Sequence, residues 1–323
     1  MSKRMKVLFL PHPGIKDPWE KDIVEAIGTC HDLNFYNPRV PLPSQFDGVK
    51  VVIDFGGAMG TRAMADLSSS VKLWQILGNG FDHFDLAYWN QMRIPVANCP
   101  GQFSAIPLAE CAVMFMLMLA RRWHETQQSL RKGILYNPLG LELENQRLLL
   151  IGFGASAREL VPRARAFGMK ISAIDVRDIS LEEQREFALE SVFRPEQIDH
   201  VIGGFDFVSL HLPLNKETRA MINAGRLRLM KPTAYLINIA RAGLIDETAL
   251  YAALTEGRLA GAGLDVLADE PKDPNDPILR LPNVVATPHI SGTTNGTSRR
   301  RAACARENVD RVASGLEPLY RIG

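Results

Sequence analysis

The apolar positions of this chain fall in short blocks, with stretches of helical character between them. Residues 7–10, 49–53, 71–77 and 94–97 read as buried strands in the first third. A second series starts at Arg147, with strand candidates at 148–151, 170–175, 207–211, 234–239, 263–266 and 284–286. Strands alternating with helices are the signature of parallel α/β sheets. A long helix is predicted over 105–131, opening after the turn Pro100-Gly101 and ending near Gly133. Another is predicted over 246–256, where Asp246 and Glu247 supply the acidic start that a helix dipole favours. A last helix is predicted over 297–314. Two such series predict an α/β protein of two Rossmann-like or flavodoxin-like parallel-sheet lobes, with the ligand cleft between them.

Length and composition narrow the class. A chain of 323 residues suggests about two domains. Its 37 Lys+Arg and 36 Asp+Glu leave a net charge of +1, which argues against a nucleic-acid partner. A hydrophobic fraction of 46% and a charged fraction of 23% exclude a mostly disordered chain. Cys30, Cys99, Cys111 and Cys304 form no CxxC pair and no zinc spacing, so reduced thiols and no metal are expected. The N-terminus lacks a signal-peptide core, and the apolar stretch 111–120 is too short to span a bilayer. A cytoplasmic protein with no membrane partner is the expectation. Met114, Met116 and Met118 read as core or interface packing.

The first candidate chemistry is a dinucleotide site. Strand 148–151 leads into Gly152-Phe153-Gly154-Ala155-Ser156-Ala157, the GxGxxA form of the strand–turn–helix fingerprint. Gly152 suits the tight turn. Gly154 lets a pyrophosphate approach the helix N-terminus, and Ala157 permits close helix–strand packing. Asp175 lies about 20 residues on, at the end of the next strand, where a ribose-binding acid stands. An acid there favours NAD over NADP, although Arg177 is two residues away and leaves NADP open.

Three further segments stand at predicted strand ends: Asn238-Ile239-Ala240-Arg241-Ala242-Gly243, residues 264–271 with Asp265 and Glu270, and residues 287–292 around His289. An Arg, a carboxylate and a His beside a dinucleotide site form a hydride-transfer set. The His exchanges a proton with an alcohol or carbonyl, the carboxylate favours the imidazolium, and the Arg clamps a substrate carboxylate.

With these residues the sequence resembles the D-isomer-specific 2-hydroxyacid dehydrogenases, from about Gly78 to Gly292 and most densely over 210–292. The motifs include Leu210-His211-Leu212-Pro213-Leu214 and Leu229-Met230-Lys231-Pro232. The resemblance implies Arg241, Glu270 and His289 as the catalytic set. It implies NAD-dependent reduction of a 2-keto acid to a D-2-hydroxy acid, with His289 as acid/base, Glu270 as its partner and Arg241 on the substrate. It places Gly152, Gly154, Ala155, Ser156, Asp175, Leu212, Pro213, Thr218, Ile239, Ala240, Arg241, Asp265, His289 and Gly292 at the cofactor. Within that set, Pro213 and Thr218 lie beside the adenosine and Asp265 holds the nicotinamide carboxamide. Asn79 and Gly80 join Arg241 and His289 at the substrate, in a loop whose backbone amides grip a carboxylate. It further implies a substrate lobe of residues 1–99 plus 290–323, a cofactor lobe of 100–289, and a homodimer through the helix starting near Ala105.

The sequence departs from the family at Ala242, where Gly is usual after the Arg, and at Ala157, the last fingerprint position. A Trp usual before the fingerprint is absent between Gly133 and Asn145. Ala242 puts rate in question if that site needs a positive φ. Two alternatives share the fold. A formate dehydrogenase would carry Gln where this chain has Glu270, and a non-catalytic NADH-sensing corepressor would need partner-binding extensions that are not evident. In the substrate lobe, loops 54–61 and 76–82 carry no Arg. Phe55, Met59, Ile76 and Leu77 make it apolar, Asp54 is placed to repel a phosphate, and Arg62 is the nearest cation. An unphosphorylated substrate such as glyoxylate, hydroxypyruvate or a larger apolar 2-keto acid is the expectation.

Overall fold

The computed structural model describes residues 4–14 and 17–323, and the chain divides into two compact units. One unit comprises Met1–Ser104 and Thr293–Gly323, the other Ala105–Gly292.

The first unit is built on five parallel strands: β1 (Lys6–Leu10), β2 (Asp32–Phe35), β3 (Val51–Asp54), β4 (Leu73–Ile76) and β5 (Val96–Ala97). Their order is β2-β1-β3-β4-β5. Successive strand residues serve opposite faces, so both faces need apolar side chains. Val7, Phe9, Ile53 and Leu73 form one core, whereas Leu8, Leu10, Val52, Trp74 and Ile76 form the other. The tail helix Asn295–Ala313 covers the first face with Ala302, Ala305 and Val309.

The second unit has seven parallel strands: β6 (Arg147–Ile151), β7 (Lys170–Ile174), β8 (Ser191–Phe193), β9 (Phe207–Leu210), β10 (Tyr235–Asn238), β11 (Gly261–Leu264) and β12 (Val284–Ala286). The order is β12-β11-β10-β9-β6-β7-β8. The strand order reverses at β6, which pairs with β7 on one side and β9 on the other. Open α/β sheets bind ligands outside the carboxyl ends of the strands at such a reversal. Helix Ala105–Ala120 lies so close over β11 that a Cβ on Gly263 would meet the Phe115 Cβ at 2.6 Å.

Three features differ from the sequence expectation. The helix expected over 105–131 is two helices, Ala105–Ala120 and Trp123–Arg131, parted by Arg122 in the left-handed region with φ 48°. The Arg122 side chain is held by Glu125. Strands β2 and β8 sit at sheet edges and were not anticipated, because their sequences lack a continuous apolar run. The expected strand at 71–77 is limited to Leu73–Ile76. Met116 is fully buried and Met118 packs against the same core, whereas Met114 is exposed. Among the described residues, no helix is long and apolar enough to cross a membrane.

Candidate active site

The turn after β6 is shaped by its neighbours on both sides. Gly152 has φ 89°, and a Cβ there would stand 2.6 Å from the carbonyl oxygen of His211. Gly152 N–H donates to Ile174 O at 2.8 Å, and His211 N–H donates to Ile151 O at 2.8 Å. Gly154 caps helix Ala155–Ala166 with an ordinary φ of −86°. A Cβ on Gly154 would meet no atom within 4 Å. The first intrahelical bond runs from Arg158 N–H to Gly154 O, so the preceding N–H groups face that open space. Ala157 is fully buried in the core beneath, which is why its methyl fits.

Asp175 stands beside this turn. Its carboxylate accepts from Phe153 N–H at 2.6 Å and from Arg177 N–H at 2.7 Å. The Arg177 guanidinium is committed elsewhere, forking onto Glu183 at 2.8 and 3.0 Å. Those bonds hold the Glu183 carboxyl below its usual range, with Arg158 adding a second ion pair at 2.6 Å. An open space over a helix N-terminus, with a carboxylate at its side, fits a dinucleotide.

Beyond β9, Leu212 packs against the core and Thr218 knits its own turn. The Thr218 hydroxyl donates to Pro213 O at 2.8 Å and accepts from Asn215 N–H at 2.8 Å. After β10, the buried Asn238 folds the following turn by accepting from Ala240 N–H and donating to Arg241 O. Arg241 is extended, and Ala242 opens the short helical turn Ala242–Leu244 without a positive φ. The departure at Ala242 therefore imposes no backbone strain.

The His loop hangs from Asp265, which is fully buried. Its carboxylate accepts from the Thr287 hydroxyl at 2.6 Å, Ile290 N–H at 2.8 Å and Ser291 N–H at 2.9 Å, and its carbonyl accepts from His289 N–H at 2.8 Å. These bonds hold His289 at φ 54°, a conformation a non-glycine residue keeps only when its surroundings impose it. Asp265, the residue expected at the nicotinamide carboxamide, holds with its carboxylate the loop that presents His289.

His289 Nδ1 and Glu270 Oε2 are 2.8 Å apart. The bond to Glu270 raises the imidazole pKa, working against burial, with the Glu270 and Asp265 charges adding to it. Burial alone would raise the Glu270 carboxyl. The His289 bond and charge, the Leu267 N–H and the Arg241 charge outweigh it and hold the carboxyl below its usual range. With Nδ1 engaged, Nε2 is the nitrogen left for a reacting group. Arg241, Glu270 and His289 are thus electrostatically coupled.

In the first unit the loop after β4 is seated on the loop after β3. A Cβ on Gly78 would meet Gly56 Cα at 3.2 Å, and His83 Nε2 lies 3.0 Å from Gly56 O. Asn79 O accepts from Asn98 Nδ2 at 2.8 Å. Asp54 does not face a ligand as expected. It points inward and accepts from Met59 N–H, Gly60 N–H and Trp74 Nε1–H at 3.0–3.1 Å, and burial pushes its pKa up to about 6. Arg62 is paired with Asp85 at 2.6 Å and lies over the Tyr88 ring. One cation escaped sequence reading. Arg301 of the tail helix donates to Leu77 O at 3.2 Å across 224 positions, a separation that leaves no local signal. Among the described residues, no group of His, Cys, Asp and Glu could hold a metal ion.

The family profile described as "D-isomer specific 2-hydroxyacid dehydrogenase, NAD binding domain" matches residues 113–291. The glyoxylate reductase of Thermococcus onnurineus is 34% identical over 321 residues, 96% of this chain and 92% of that protein. The hydroxypyruvate reductase of Thermotoga maritima is 34% identical over 88% of this chain and 93% of its own length. The D-3-phosphoglycerate dehydrogenase of Methanocaldococcus jannaschii is 32% identical over 93% of this chain, which spans only 57% of that longer protein. Among solved structures, D-lactate dehydrogenase from Aquifex aeolicus, complexed with NAD and lactic acid, superposes with a TM-score of 0.80 at 29% identity, covering 96% of each chain. The chain belongs to the D-isomer specific 2-hydroxyacid dehydrogenase family of NAD(P)-dependent oxidoreductases.

Proposed function

We propose that this enzyme reduces an unphosphorylated 2-keto acid to the D-2-hydroxy acid with NADH, reversibly. The observation that carries the reading is the His289–Glu270 contact at 2.8 Å, with the imidazole pKa raised by it. The nicotinamide, when bound, supplies or accepts the hydride. The rest is done by the chain. His289 holds a proton on Nε2 and passes it to the carbonyl oxygen, and Glu270 stabilises the imidazolium before transfer. Arg241 binds the substrate carboxylate and polarises the neighbouring carbonyl. In the first unit, the backbone amides of Asn79 and Gly80 bind a substrate carboxylate.

Asp175 would accept hydrogen bonds from the ribose 2′-hydroxyl. Arg177, the cation that could favour a 2′-phosphate, is drawn off by Glu183. Both features support NADH over NADPH. The absence of a phosphate from the substrate rests on Arg62 being paired with Asp85; Phe55, Ile76 and Leu77, expected to make the lobe apolar, are instead buried in the two cores of the first unit. A homodimer through helix Ala105–Ala120 is supported by Ile106 and Met114, apolar side chains of that helix left exposed. Steady-state rates with NADH on glyoxylate, hydroxypyruvate, larger apolar 2-keto acids and 3-phosphohydroxypyruvate test the substrate. The highest kcat/KM should belong to an unphosphorylated acid. A preference for 3-phosphohydroxypyruvate would overturn that part, and Arg62 and Arg301 would be the residues to examine.

A further inference from the structure

Behind the glycine turn lies a polar chain that the reaction above does not use. His211 is buried at the carboxyl end of β9, with Nε2 2.9 Å from Ser209 Oγ and Nδ1 3.0 Å from Ser156 Oγ. Ser156 is the second residue of helix Ala155–Ala166, at the end that faces the open space over Gly154. We propose that Ser209 and His211 are positioning residues that fix the Ser156 hydroxyl as a hydrogen-bond donor to the cofactor pyrophosphate. The inference rests on the dinucleotide reading of this turn.

Ser209 is wholly buried, and among the described residues its hydroxyl has His211 Nε2 as its one side-chain hydrogen-bond neighbour. A buried hydroxyl proton without an acceptor is costly, so Ser209 donates and Nε2 accepts. Burial keeps His211 neutral, with its pKa pushed down to about 3. A neutral imidazole has one N–H, which must therefore be on Nδ1. Nδ1–H donates to Ser156 Oγ. The Ser156 hydroxyl, having accepted, is left with a proton to give, and a pyrophosphate oxygen over the helix N-terminus is an acceptor of the right charge. The opposite tautomer would leave Ser209 without an acceptor and would turn the Ser156 proton away from the ligand.

The test uses the full chain and ADP-ribose, which contains the pyrophosphate without the nicotinamide. Ser156→Ala should weaken ADP-ribose binding by roughly tenfold, the loss of one hydrogen bond to a charged group, while raising KM for NADH and leaving kcat nearly unchanged. Adenosine, which lacks phosphate, should compete equally well against the wild type and the variant. His211→Gln places an amide near Nε2 only and should reproduce the Ser156→Ala loss. His211→Asn places an amide near Nδ1 and should restore part of it, an outcome that packing alone does not predict. Nitrogen-15 NMR of His211 should show a protonated Nδ1 and a bare Nε2. A protonated Nε2, or unchanged ADP-ribose affinity in Ser156→Ala, would overturn the proposal. Failure of the wild type to bind ADP-ribose at all would instead refute the dinucleotide reading beneath it.

Discussion

The two glycines of the cofactor turn should answer differently to the same methyl group. In Gly152→Ala the new Cβ would lie 2.6 Å from His211 O and 2.8 Å from His211 C. Those are backbone atoms at the end of β9, so no side chain can rotate away. The residue must also hold φ 89°, which disfavours a Cβ by about 1–2 kcal/mol. Relieving the overlap adds roughly 1–3 kcal/mol, the usual cost of overpacking. Gly152→Ala should therefore lose about 2–5 kcal/mol of folding stability. Gly154→Ala meets nothing within 4 Å and keeps φ −86°. The poorer cap costs under about 1 kcal/mol, and the stiffer unfolded chain offsets a similar amount. Its stability should stay near wild type. Its NADH affinity should fall by at least roughly tenfold, because the methyl occupies the space a pyrophosphate needs. Urea unfolding monitored by circular dichroism and NADH fluorescence titration separate the two effects. Gly154→Ala binding NADH like the wild type, or unfolding as early as Gly152→Ala, would refute this account of the turn.

Three more outcomes follow from the site. Glu270→Gln removes the first cause of the raised His289 pKa, so the imidazolium is lost at lower pH and the alkaline limb of the reductive pH–rate profile should move down; an unmoved limb would mean the pair does not act together. Asp175→Ala should narrow the preference for NADH over NADPH, mainly by weakening NADH use; adding Glu183→Gln, which frees Arg177, should narrow it further in kcat/KM comparisons, and a wild type that prefers NADPH would contradict the assignment. Asp54→Asn turns an amide N–H₂ or a single oxygen toward three donors, so it should destabilise the first unit by about 1–3 kcal/mol without changing KM for a 2-keto acid; a large KM effect would place Asp54 at the substrate after all.

Much of this was readable from local sequence because the relevant signals are local. The run Leu148-Leu149-Leu150-Ile151 is buried on both faces, and its apolar continuity marks it as a central parallel strand. Gly152 and Asp175 are tied to that strand's end by backbone geometry, so their spacing carried the site. The missed elements lacked such signals. Asp32–Phe35 is an edge strand with mostly exposed side chains. Nothing in Arg121-Arg122-Trp123 announces a left-handed break, since neither Gly nor Pro is present. The inward turn of Asp54 depends on Trp74, 20 residues away on the neighbouring strand. His211 lies within a recognised motif, but the link from its ring to Ser156 spans 55 positions and appears only in three dimensions.

The central claim is that His289, set by Glu270, moves the proton while hydride transfer depends on the bound dinucleotide. The most direct test is the turnover of His289→Ala with NADH and the best 2-keto acid, measured beside its NADH affinity. The account predicts that kcat falls by about 10²–10⁴-fold while the dissociation constant for NADH stays near that of the wild type. Unimpaired turnover in that variant would contradict it.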